Sequence, residues 1–117
     1  MLEKEIDRIY KTTILHKETK HLTRKDVAKV YEHIFINKYE LNGKVTNFIP
    51  DFYMAVSWER LSQGIPKYHD LIMVLHERLE YEYMNVCKND YITAHNKAEL
   101  KYNYAKLVKE IMKSGGS

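Results

Sequence analysis

Hydrophobic positions recur every three or four residues over most of the chain, which is the pattern of amphipathic helices. Residues 1–15 predict a first helix, and residues 24–37 predict the clearest helix of the N-terminal half. Thr23 and Asp26 resemble a capping box, with an aspartate where a glutamate is usual. The N-terminal third is therefore expected to form two helices.

The pattern changes after the second helix. Leu41-Asn42-Gly43 is a turn signal, and residues 44–49 are rich in residues that favour strands. The segment 44–49 predicts one short strand or an extended loop. Asp51 is placed to cap a third helix, which Gly64 would end.

Two longer helices are expected in the C-terminal half. A fourth helix runs from about Tyr68 to Cys87, and Asp90 caps a last helix that reaches about Met112. A short turn between them predicts an antiparallel helical hairpin. The fold class is thus mainly α, with about five helices, a C-terminal hairpin and at most one short β element near 44–49.

Length and composition narrow the class of protein. The 117 residues suit one domain, assigned here to residues 1–113, and residues 114–117 read as a flexible tail of the kind that cloning leaves behind. The single cysteine excludes an intrachain disulfide and a C-x-x-C zinc site. No apolar run is long enough to cross a bilayer, so no membrane role is expected and the protein is placed in the cytoplasm.

The net charge of +3 permits a nucleic-acid partner without arguing for one. Ten of the residues are tyrosines, which suit the rim of a small core and also serve interfaces and base stacking. Composition alone does not choose between these uses, nor does it set the oligomeric state.

The chemistry of the chain is concentrated on the fourth helix. His76 and Glu80 lie one turn apart beside the expected core face, and Glu77 lies on the next strip outward. In an antiparallel hairpin His95 of the last helix would approach the middle of the fourth helix. The residues His76, Glu77, Glu80 and His95 are therefore expected to converge.

Three uses of this group remain open. His76, Glu80 and His95 are suited to hold a divalent ion such as Zn²⁺, Mg²⁺ or Mn²⁺, with Glu77 as a base. Alternatively, His76 and His95 would act as base and acid in metal-free RNA cleavage, with Arg60 or Lys67 binding the phosphate. The third use is structural, because histidines and carboxylates can pair across a hairpin and fix its register.

Other reactive side chains are assigned ordinary positions. His16, His21 and His33 are expected at the surface, on amphipathic helices or the link between them. Cys87 is expected to be a small buried residue, since no general base and no cluster of basic residues adjoins it in the sequence.

From Val30 to Tyr104 the chain resembles a domain found in minor head proteins of Gram-positive phages and prophages and in polymorphic toxins. The resemblance covers about two-thirds of the chain, with its pieces in the same order. These pieces are Tyr31-x-His33-x-Phe35, Phe48-Ile49-Pro50-Asp51-Phe52, Ser57-Trp58-Glu59-Arg60-Leu61 with Gly64, His69-Asp70, His76-Glu77-x-x-Glu80, Tyr91-x-x-Ala94-His95-x-x-Ala98 and Tyr102-Asn103-Tyr104.

This resemblance implies a toxin or effector module that acts inside a bacterial host cell. Two departures from the family pattern stand out: the domain makes up almost the whole chain, and residues 87–90 lack the glycine usual before the Tyr-x-x-Ala-His piece. A free-standing version of the domain also suits a phage inhibitor of a bacterial defence protein, which needs no active site.

The sequence therefore leads to a small phage- or toxin-related effector that hydrolyses nucleic-acid phosphodiesters. In this hypothesis His76, Glu77, His95 and Arg60 are catalytic, and His76, Glu80 and His95 are the metal ligands if an ion is used. The alternative is a non-catalytic inhibitor that binds a host protein. A metal-dependent peptidase built on the same residues is third.

Overall fold

The computed structural model describes residues 2–36, 38–41, 44–47 and 52–115, with side chains described for 3–36 and 52–115. This part of the chain is mainly helical, as predicted. Its six α-helices and two β-strands are α1 (Leu2–Thr13), α2 (Arg24–Tyr31), β1 (Lys38–Leu41), β2 (Lys44–Asn47), α3 (Phe52–Gln63), α4 (Tyr68–Asn85), α5 (Tyr91–Lys101) and α6 (Tyr104–Lys113).

The second helix starts and ends in different ways. At its start Thr23 and Asp26 form the predicted capping box, in which each side chain pairs with the other residue's backbone N–H. At its end the backbone widens into one π-helical turn over Glu32–Ile36. Such turns are rare and occur often at functional sites, because the extra residue re-aims the side chains that follow.

The β element is a hairpin. β2 lies within the segment predicted to be extended, and it pairs antiparallel with β1 so that Leu41 faces Lys44 and Lys38 faces Asn47. β1 was not predicted, because its residues carry no clear period-2 pattern. The predicted turn at Asn42 and Gly43, and residues 48 and 49 of the predicted strand, lie outside the described residues.

α3 ends where the sequence predicts. Gly64 adopts φ +78°, a conformation that favours glycine because it has no Cβ. The N–H of Gly64 donates to Leu61 O, and the N–H of Ile65 donates to Arg60 O. This pair of bonds is a Schellman motif, which satisfies carbonyls at the helix end. The Asp51 cap lies outside the described residues.

α4 is the central helix of the molecule. It contacts α2, α3, α5, α6 and the π-helical turn, and residues 71–77 are all buried. The core gathers around it, with Ile9 from α1, Val30 from α2 and Leu61 from α3. Because α4 is enclosed in this way, it buries polar residues as well as apolar ones, which the one-sided hydrophobic pattern of its sequence did not predict.

In the described residues no helix is both long and apolar enough to span a membrane.

The expectation of a single last helix from Asp90 to Met112 is wrong. Asp90 does cap α5, since its side chain accepts the N–H of Thr93. The helix then stops at Tyr102, whose backbone is extended (φ −130°, ψ 94°), and α6 begins two residues later. The Glu99 carboxylate accepts the N–H groups of Ala105 and Lys106, so it caps the new helix.

Candidate metal centre

Three imidazoles surround one buried carboxylate. Glu80 Oε1 lies 2.7 Å from His33 Nε2, and Glu80 Oε2 lies 3.1 Å from both His76 Nε2 and His95 Nδ1. Glu80 and His76 are almost completely buried, whereas the His95 side chain is 35% exposed. The structure thus brings His76, Glu80 and His95 together, with His95 on the solvent side.

Each residue reaches this point from a different element. His76 and Glu80 are one turn apart on α4, so they share a face. α5 folds back along α4 and brings His95 against His76, with ring centroids 5.0 Å apart. His33 comes from the π-helical turn after α2.

Two further carboxylates complete the group, which we call the His/Glu cluster: His33, His76, Glu77, Glu80, His95 and Glu99. Glu77 Oε2 lies 3.4 Å from His33 Nε2, and Glu99 Oε1 lies 3.4 Å from His76 Nδ1. Glu77 is buried, while the Glu99 side chain is about a quarter exposed. The cluster therefore has a closed side at His33 and Glu77 and an open side at His95 and Glu99.

The break between α5 and α6 supports His76. The carbonyl oxygen of Tyr102 lies 2.9 Å from His76 Nδ1. A carbonyl only accepts hydrogen bonds, so Nδ1 must carry the hydrogen. This leaves Nε2 as the nitrogen that faces Glu80 and His95. A backbone carbonyl on the distal nitrogen is the usual support of a metal-binding histidine.

The charges in the cluster stabilise one another. Burial lowers the pKa of His76, but the hydrogen bond to Glu80, the charge of Glu77 and the Tyr102 carbonyl outweigh it and raise the pKa to about 9. Burial raises the pKa of Glu80, but hydrogen bonds from His33, His76 and His95 outweigh it and hold that pKa far below its usual range. His76 and Glu80 consequently form a buried ion pair at neutral pH.

The donor set fits a divalent cation. Two triads have ligand atoms within 4.8 Å of one another, namely His76, His95 and Glu99, and His33, Glu77 and Glu80. Ligand atoms about 2.0–2.2 Å from a tetrahedral ion lie about 3.3–3.6 Å apart. The pairs His33–Glu77, His76–Glu80 and His95–Glu80 are separated by 3.1–3.4 Å, close to this range, and the His33–Glu80 pair is closer, at 2.7 Å. Imidazole and carboxylate together suit zinc, iron and manganese.

Arg60 is not part of the cluster. Its guanidinium forms two hydrogen bonds with Asp70, Nε to Oδ2 at 2.6 Å and Nη2 to Oδ1 at 2.7 Å, and Nη2 also lies 2.9 Å from His69 Nε2. Asp70 is completely buried and accepts the N–H of Lys67 at the start of α4. The structure thus assigns Arg60 to a structural network near the start of α4 and does not bring it to His76.

Other expectations about individual residues need correction. His33 was expected at the surface and Glu77 on an outer strip, but both are buried because α4 is covered on nearly all sides. Cys87 was expected to be buried and is exposed, since α4 ends before it. The available signal for His33 was its place in the Tyr-x-His-x-Phe piece, and for Glu99 its position one turn after His95.

No protein-family model, curated protein or solved structure matches this chain.

Proposed function

We propose that the protein is a metal-dependent hydrolase of nucleic-acid phosphodiesters, with a divalent ion held by His76, Glu80 and His95. The observation that carries this proposal is the convergence of His76 Nε2 and His95 Nδ1 on Glu80 Oε2, at 3.1 Å each. Three protein ligands with one side toward solvent are typical of catalytic metal sites, because an open position is left for water or substrate.

The surrounding residues position these ligands. Tyr102 O fixes the His76 ring, and the Tyr91 ring stacks on His95 at 5.7 Å between centroids. Glu99 Oε1 lies 3.4 Å from His76 Nδ1, on the Tyr102 side of the ring, and the Glu99 carboxylate also accepts the backbone N–H groups of Ala105 and Lys106, so it helps to hold the His76 ring. A bound divalent ion supplies a Lewis acid and lowers the pKa of a bound water.

The surface of α5 supports a nucleic-acid substrate. Lys97 Nζ lies over the Tyr83 ring and Lys101 Nζ lies over the Tyr102 ring, and both lysines are exposed. Lysines bind backbone phosphates and tyrosines stack on bases, so this combination suits a nucleic-acid strand. α5 thus carries both His95 and a surface suited to a polyanion. On this proposal the protein is a phage- or toxin-related effector, the class of protein that the resemblance of residues 30–104 implies.

The peptidase hypothesis has less support. A metal-dependent peptidase of this type needs a glutamate next to His76 that acts as a general base on the bound water. In the sequence, Glu77 occupies that position. In the structure Glu77 is buried against His33, on the closed side of the cluster. Nothing in the described part of the cluster offers a second base with that role.

Cleavage of RNA and of single- and double-stranded DNA by the purified protein tests the proposal. Wild type, stripped with EDTA and then supplied with Mn²⁺, Zn²⁺ or Mg²⁺, is compared with His95→Ala and with the matched control His21→Ala, whose histidine is exposed and outside the cluster. We expect cleavage that needs metal, falls at least about 100-fold in His95→Ala and is unchanged in His21→Ala.

The non-catalytic alternative gives the opposite results. A protein that only binds and blocks a host partner would cleave no substrate with any metal, and His95→Ala would leave its binding unchanged. Absence of cleavage together with absence of metal binding would overturn the proposal.

A further inference from the structure

The closed side of the His/Glu cluster contains further potential metal ligands. One ion bound by His76, Glu80 and His95 would leave these ligands unused. Glu80 has two oxygens that face different partners, Oε2 toward His76 and His95, and Oε1 toward His33 at 2.7 Å. Glu77 Oε2 approaches the same His33 nitrogen at 3.4 Å. The second triad of His33, Glu77 and Glu80 is therefore complete in itself.

Two carboxylates converge on one imidazole nitrogen in this triad, and all three side chains are buried. Imidazole nitrogens and carboxylate oxygens are ligands that divalent cations accept, and the three ligand atoms of this triad lie within 4.8 Å of one another. A divalent cation between them would bind all three groups at once.

We infer that the chain holds a second divalent cation between His33, Glu77 and Glu80, so that the Glu80 carboxylate bridges a pair of ions. This inference rests on the first ion of the proposed function but not on the reaction that we assign to it. Pairs of ions about 3.5–4 Å apart are common in enzymes that transfer or hydrolyse phosphoryl groups.

The two ions would have different surroundings. The first lies on the side where His95 and Glu99 are partly exposed, and the second is enclosed by side chains that are 6% exposed or less. Closed sites of this kind are structural, whereas catalytic sites keep an open position. The second ion would thus fix Glu80 and the π-helical turn that carries His33, while the first meets the substrate.

Metal content and electron paramagnetic resonance test this inference without reference to activity. Wild type is stripped with EDTA, dialysed against Mn²⁺ and analysed for bound metal, beside Glu77→Gln, His95→Gln and the control His21→Ala. We expect two ions per chain in wild type and control, with the spin-coupled spectrum of a bridged pair. Glu77→Gln and His95→Gln should each hold one ion and give the six-line spectrum of isolated Mn²⁺.

The other outcomes separate the two proposals. One ion in wild type that Glu77→Gln retains and His95→Gln loses would overturn the second site and leave the first. One ion that Glu77→Gln loses and His95→Gln retains would overturn the first site and leave an enclosed mononuclear one, without a bridge. No bound ion in wild type would overturn both. The number of ions bound by wild type and its spectrum show whether a bridged pair is present, even if a variant does not fold.

Discussion

Asp70 and Glu80, two of the buried acidic residues of α4, are neutralised in different ways. Near its start Asp70 pairs with Arg60 through two short hydrogen bonds and accepts the N–H of Lys67. Ten residues later Glu80 is surrounded by His33, His76 and His95. Both carboxylates are almost fully buried, so burial does not distinguish the two places.

The difference lies in whether the partner can give up its charge. An arginine stays protonated at any pH of interest, and its planar fork matches a carboxylate. A histidine can lose its proton and then bind a metal through the same nitrogen. The Arg60–Asp70 pair is therefore suited to hold the fold, whereas the His/Glu cluster is suited to exchange protons for metal ions.

The largest effect is expected from breaking the Arg60–Asp70 pair. Arg60→Met keeps an apolar stem but leaves Asp70 buried without its permanent counter-charge, at a cost of about 3–5 kcal/mol. Urea unfolding measures this loss. Because the pair lies outside the cluster, metal content and activity per folded molecule should be unchanged. A loss of activity in a folded Arg60→Met variant would instead show that Arg60 takes part in catalysis.

The pH dependence of the stability of the metal-free protein gives a second comparison between the His/Glu cluster and the Arg60–Asp70 pair. The pKa of His76 is about 9 in the folded chain against 6.5 in the unfolded one, so the folded state binds the proton more tightly. This stabilisation is complete below pH 6.5 and is lost as the pH rises through 9, by about 3 kcal/mol in all. Arg60–Asp70 contributes nothing to this slope. Unfolding free energies between pH 6 and 10 should fall in wild type and stay flatter in His76→Asn.

The helices of the fold were largely predictable, and the cluster was predictable in part. Caps and turn residues such as Thr23, Asp90 and Gly64 act locally, so their sequence signals predicted helix ends that the structure confirms. The helix break at Tyr102 depends on Glu99 capping α6 and on His76 binding a freed carbonyl. Such contacts join residues that are distant in sequence, and a periodic pattern does not record them.

His33 illustrates the same limit. Its position on an amphipathic helix predicted exposure, but α4 is enclosed by other elements and the π-helical turn directs His33 inward. A single sequence shows which residues share a helix face and does not show how many neighbours cover that helix. The convergence of His76, Glu80 and His95 was predicted because it needed only helix periodicity and one tight turn.

Metal ions should stabilise the protein through the His/Glu cluster only. At a free Mn²⁺ concentration 100 times the dissociation constant, one bound ion adds about 2.7 kcal/mol to the free energy of unfolding. Arg60→Met should gain as much as wild type from added metal, although it starts from lower stability. Thermal unfolding with EDTA and with Mn²⁺ checks this, and an equal gain in Glu80→Gln would contradict the assignment of the ligands.

The smallest effect is expected where the Arg60–Asp70 region meets α6. The Ser57 hydroxyl lies 3.2 Å from the Tyr104 hydroxyl, and its hydrogen bond to Asp70 helps to lower the pKa of that carboxyl. Ser57→Ala removes both interactions and should lower the free energy of unfolding by about 1 kcal/mol, as for a typical buried hydrogen bond.

Tyr104 is also the first residue of α6, two residues after Tyr102, whose carbonyl holds His76. If the two regions are independent, Ser57→Ala lowers the melting temperature slightly and leaves the metal affinity unchanged. A fall in metal affinity larger than the fall in stability would instead show that α6 couples them.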